Sequence, residues 1–140
     1  MRAQGLDTAF RTTTYRVATD DGFFDLHIGL VNFAFDAFLR GHDVLCWGVL
    51  TACNPGAMRD EGENARRQQR LRERLRELGW SFVPACNIAD DGVWPAEPGF
   101  LLLHVGAREV RELAAEFSQV ACICGNIGGV PRLVYVHAAI

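Results

Sequence analysis

The 140-residue sequence predicts an α+β protein: a single domain over residues 1–140, built on a ferredoxin-like split β-α-β-β-α-β core at about residues 44–125. Three observations carry this. The apolar and amphipathic segments from Val44 to Cys124 follow that order of strands and helices. The two longest uninterrupted apolar runs, VLCWGVL (44–50) and FLLLHV (100–105), fall on the first and third strands, which are central in that topology. A content of 49% hydrophobic and 22% charged residues is enough to close a core without disulfides or a metal.

The elements follow in order. TTYRV (13–17) and FFDLHIGL (23–30) read as strands flanking the Asp20-Asp21-Gly22 turn, an N-terminal hairpin added to the core. A short helix from about Asn32 to Arg40 buries Phe35, Phe38 and Leu39, and Gly41 ends it. After the strand at 44–50, a helix is predicted from about Glu61 to Leu78. Leu71, Leu75 and Leu78 share one of its faces, acidic residues fill its first turn, and Gly79 follows its end. WSFVPAC (80–86) and FLLLHV are strands joined by a thirteen-residue loop, 87–99. A helix from Ala107 to about Ser118 buries Val110, Leu113, Ala114 and Phe117. VACIC (120–124) closes the core, and LVYVH (133–137) adds a C-terminal strand.

Composition narrows the function classes. A formal net charge of -3 disfavours a protein whose main partner is nucleic acid, because that binding rests on phosphate neutralisation. The helix at 65–78 carries six arginines and two glutamates, yet no interleaved aromatics, and reads as a solvated face. No apolar run approaches the ~18 residues of a membrane span, so no membrane partner is expected. No apolar leader opens the sequence, and its five cysteines lie mostly inside apolar runs, the usage of a cytoplasmic protein. Cys122 and Cys124 lack the further thiol or imidazole partners that zinc needs, so no metal site is expected, and no cofactor is designated. GNIGG (125–129) precedes a strand, not a helix, and reads as a turn.

Three motifs stand out: Thr51-Ala52-Cys53-Asn54-Pro55 after a strand, Glu63-Asn64 with Arg67 at a helix start, and Trp94-Pro95 with Glu97-Pro98 in the long loop. On these the sequence resembles a bacterial domain-of-unknown-function family, number 3293, over about Tyr15 to Val136. It departs from the pattern at Cys53, where the resemblance implies a larger, often aromatic residue. The resemblance supplies a grouping and no activity.

In the expected topology these motifs meet at one end of the sheet. Thr51, Asn54, Glu63, Asn64, Arg67, Trp94 and Glu97 are therefore the candidate ligand-binding residues. A helix start offers unpaired N–H groups and partial positive charge, and Arg67 adds a bidentate fork, chemistry suited to a small anionic metabolite or nucleotide. The structural alternative has Asn54 capping a turn and Arg67 pairing with Glu63 at i+4. No catalytic residue is designated. A thiol nucleophile at Cys53, with His104 or His42 as base, lacks any sequence signature of pairing. The second function class is a non-catalytic interaction module that self-associates or binds another protein through its sheet, with a homo-oligomer as one outcome. The third, nucleic-acid binding through the arginine-rich helix, ranks behind both.

Overall fold

The computed structural model describes residues 2–54, 60–92 and 95–137. Four helices, α1 (Arg2–Arg11), α2 (Phe33–Gly41), α3 (Glu61–Leu78) and α4 (Ala107–Glu116), accompany seven strands. The strands are β1 (Thr13–Thr19), β2 (Gly22–Leu26), β3 (Cys46–Leu50), β4 (Ser81–Ala89), β5 (Glu97–Leu103), β6 (Ala121–Asn126) and β7 (Arg132–Tyr135). All seven form one sheet in the order β2-β1-β4-β5-β3-β6-β7. Every pairing is antiparallel, and the sheet curls into a half-barrel.

This overturns the ferredoxin-like expectation. The chain order β3-α3-β4-β5-α4-β6 is present, but these four strands are not a separate two-layer unit. β4 and β6 would be its edges, yet β4 pairs outward with β1 and β6 pairs outward with β7. Both faces of the sheet are also covered, where a two-layer unit packs helices on one. On the inner face α2 buries Phe35, Phe38 and Leu39 against Trp47, Val49, Leu101 and Ile123. On the outer face Leu71 and Leu75 of α3 and Val110, Leu113 and Ala114 of α4 pack on Leu50, Phe100, Leu102, Cys122 and Cys124.

The curl closes around α2. Gly29 N–H donates to the Pro131 carbonyl at 2.9 Å, tying the segment after β2 to the turn between β6 and β7. Gly128 N–H donates to Asp36 Oδ1 of α2 at 2.6 Å. Two glycines let the layers approach: a Cβ at Gly48 would lie 2.7 Å from Val110 Cγ2, and one at Gly125 would overlap the Trp47 ring opposite it. Trp47 in turn meets Phe35 edge-on, with centroids 5.2 Å apart.

Local sequence explains the helices. Asp60 caps α3, its side chain accepting from Glu63 N–H, and Gly79 ends the helix in the left-handed conformation. Asn32 caps α2 in the same way through Phe35 N–H. α1 is absent from the sequence expectation, although Leu6, Ala9 and Phe10 have helical spacing. One of its anchors is near in sequence and one is distant: Tyr15 Oη, in the strand that follows, donates to the Phe10 carbonyl at 2.9 Å, and Tyr135 Oη donates to Asp7 Oδ1 at 2.9 Å. The loop expected at 87–99 is also shorter, because β4 and β5 stay paired out to Asn87 and Glu97. Among the described residues, no helix is long and apolar enough to cross a membrane.

Candidate functional site

Antiparallel order brings five strand ends together: the starts of β1, β5 and β6 and the ends of β3 and β4. Register then places side chains on the inner face. Tyr15 lies opposite Asn87, and Asn87 opposite Glu97, giving one row across β1, β4 and β5. Val49, Thr51 and Cys53 line the neighbouring stretch, and Leu6 and Phe10 of α1 lie over it. Between them is a cavity of about 160 Å³ whose lining is apolar except for Tyr15 and a band of Thr51, Asn54, Asn87, Glu97 and Gln119.

The segment after β3 is held by hydrogen bonds. Thr51 Oγ1 donates to the Pro98 carbonyl at 2.8 Å and accepts from Cys53 N–H at 3.0 Å. Asn54 has a left-handed backbone, φ +51°, which Asn tolerates better than most residues. Its N–H donates to Asn64 Oδ1 at 2.8 Å, and Asn64 Nδ2 donates back to Asn54 Oδ1 at 2.8 Å. Asn54 Nδ2 donates to the Glu97 carboxylate. Gln119 Nε2 donates to the Cys53 carbonyl at 3.0 Å. Asn54 thus locks the start of α3 to the start of β5.

A second hollow of about 250 Å³ lies on the other side of this lock, lined by Asn64, Ala65 and residues 95–98. Cys53, Asn54 and Glu97 line both hollows and form the partition between them. Of the sequence candidates, Thr51, Asn54 and Glu97 reach the cavity, and Asn64 braces the partition from α3. Glu63 and Arg67 do not line either hollow. Trp94, like Pro55 and Arg59, lies outside the described residues.

At the α3 start the Glu63–Arg67 pair of the structural alternative is not formed. Asp60 occupies the cap, and Glu63 pairs with Arg66 at 2.8 Å, not with Arg67. The Arg66 guanidinium holds the Glu63 carboxyl below its ordinary range. Arg67 Nη1 instead donates to Asn64 Oδ1 at 3.3 Å. Further along α3, Arg74 pairs with Glu116 at 2.8 Å, and Arg72 lies 5.1 Å above the Phe100 ring.

Cys53 is 2% exposed, and burial raises its thiol pKa. No histidine lines either hollow, so the Cys53–His104 or Cys53–His42 pairing is not formed there. All five cysteines are free, with the buried Cys122 and Cys124 sulfurs 3.9 Å apart. Among the described residues no cluster of three or more His, Cys, Asp or Glu could hold a metal ion.

Tyr15, Asn87, Gln119, Leu6 and Phe10 escaped the sequence reading. Tyr15 falls in the strand read at 13–17, but Asn87 opens the loop read at 87–99, and only the pairing of β1 with a longer β4 brings them together.

Fold and site define a small α+β half-barrel with a polar-banded cavity at one end of its sheet. The chain belongs to the family described as Protein of unknown function (DUF3293), whose model matches residues 50–122. That span contains the 51–54 segment, α3, the β4–β5 hairpin and α4, and so the whole Asn54–Asn64–Glu97 lock. No curated protein and no solved structure matches the chain.

Proposed function

We propose that this protein binds a small molecule in the cavity beneath α1. The supporting observation is the cavity itself: about 160 Å³, apolar on most sides, with Thr51, Asn54, Asn87, Glu97 and Gln119 converging on it. An apolar cavity of about 150 Å³ accepts a benzene-sized molecule, so the ligand, or its buried part, is a single ring or its equivalent. The small anionic ligand expected at the α3 start has weaker support, because Asp60 and Glu63 already supply negative charge there.

The test fills the cavity. Ala121 lines it and is 8% exposed, so Ala121→Leu adds methyl groups into the space. A thermal-shift screen of single-ring compounds should give hits with the natural protein that disappear in Ala121→Leu, while that variant melts at no lower temperature. Hits that persist in the filled variant sink the reading.

A second reading, a module that self-associates or docks on another protein, draws on exposed Phe33 (82%), Phe23 (73%) and Leu45 (68%). A monomer by light scattering at all accessible concentrations would count against self-association.

A further inference from the structure

α2 is apolar on both of its faces. Phe35, Phe38 and Leu39 fill the inner side of the sheet, while Phe33, Ala34, Ala37 and Gly41 are exposed on the other side. Its two charged residues, Asp36 and Arg40, pair with each other at 3.0 Å. α3 and α4 do the opposite. α3 turns Arg66, Arg70, Glu73 and Glu77 to solvent, and α4 turns Arg108, Arg111 and Glu112. A surface helix carries its polar residues on the outer face, whereas one that is apolar all round has both faces covered. The residues leading into α2 continue the exposed face: Phe33 is 82% exposed, Leu30 62% and Val31 47%.

Area and charge choose what covers it. Phe33 alone leaves ~150 Å² bare. With Leu30, Val31 and the exposed alanines the face presents on the order of 500 Å², so two copies bury on the order of 1,000 Å² between them, the floor for a specific interface. The charges flanking Phe33 and Ala37 are neutralised within the chain. Arg40 is taken by Asp36, and Arg16 by Asp25, whose carbonyl accepts from the α2 cap Asn32 at 3.0 Å. Such a surface has little with which to steer a charged partner. It suits an isologous contact, which sets each group near its own image.

We infer that α2 packs antiparallel against the α2 of a second copy, across a two-fold axis at Ala37. The inference rests on the self-association reading above and names its surface. Phe33 of each copy then lies over Gly41 of the other, a position where an added Cβ would meet nothing within 4 Å of its own chain. The same arrangement brings Asp43, exposed just past α2, to the start of the other helix, whose partial positive charge favours it.

Light scattering and sedimentation velocity on the full chain, from low micromolar to near-millimolar concentration, test it with two variants. Ala37→Arg sets two guanidinium groups against each other at the axis and keeps a good helix former. Phe33→Glu puts an acid in the first turn of α2, where it favours the helix. Both should keep the natural circular dichroism spectrum. The natural protein should reach twice the monomer mass, and each variant should associate more than about tenfold more weakly, as a charge forced into an apolar or like-charged contact requires. Arg111→Glu on α4 should associate as the natural protein does. A natural protein that stays monomeric throughout overturns the second copy as occupant and the self-association reading with it. A dimer that persists in both variants leaves self-association standing and overturns the α2 face. Equal weakening by Arg111→Glu would reduce the effect to net charge and overturn the face as well.

Discussion

Removing Asn64 measures the lock on which the candidate site stands. Asn64→Ala deletes two hydrogen bonds of 2.8 Å, from Asn54 N–H and to Asn54 Oδ1, and a longer one of 3.3 Å from Arg67. At about 1 kcal/mol net for each good bond, with the added penalty of a half-buried Asn54 left unpaired, the loss comes to roughly 2–3 kcal/mol. For a domain of this size that lowers the melting temperature by roughly 6–10 °C. Asn54→Gly separates the contributions. Glycine keeps the backbone N–H that donates to Asn64 and relieves the left-handed φ of +51°, while losing the side-chain bonds to Asn64 and Glu97. Its net cost is therefore smaller, about 1 kcal/mol. Urea denaturation of both variants and the double variant closes a thermodynamic cycle, with a coupling of about 1 kcal/mol expected. Costs that add to within about 0.5 kcal/mol would refute the claim that the two amides act as a unit. So would an Asn64→Ala variant as stable as the natural protein.

Two further outcomes follow from the same geometry. Gly125→Ala places a methyl group into the Trp47 ring, so it should cost about 1–3 kcal/mol by overpacking and shift the tryptophan emission; an unperturbed spectrum would mean that the strands separate without strain. Asp7 is held below the ordinary carboxylate range by its hydrogen bonds from Arg11 and then Tyr135. A folded-state pKa lowered in this way contributes stability above the unfolded value of about 3.9 and loses it as pH falls through the lower one. Amide shifts of α1 should therefore move with acidification below about pH 4, and Asp7→Asn should show the displaced spectrum already at neutral pH. Identical titrations in both proteins would remove Asp7 from the anchoring of α1.

What the sequence disclosed divides along the range of the forces involved. α3 was legible to its last residue, because a leucine stripe, an acidic first turn and Gly79 are all local signals. So was the succession of strands and helices from Cys46 to Asn126. The architecture was not, because nothing in VPAC or ACIC states that a further strand pairs with its outer side. For β4 that partner is β1, far away in sequence, while β7 follows β6 after a short turn, and with both the four core strands became part of one curled seven-stranded sheet. The site divides in the same way. Thr51, Asn54, Asn64 and Glu97 stood out because Asn-Pro and Glu-Pro motifs are visible in a string of letters. Asn87 did not, since an asparagine beside a turn has an ordinary local explanation. Its claim comes from register: β4 must pair with both β1 and β5 before its amide lies between Tyr15 and Glu97. At Arg67 the local signal was visible and its surroundings were not. Its position at a helix start suggested an anion site, but Asp60 caps the helix, Arg66 takes Glu63, and the Arg67 guanidinium braces Asn64. Charge at a helix start is evidence for a ligand only after the chain's own side chains have been counted, and here that count moves the candidate pocket from the helix to the inner face of the sheet.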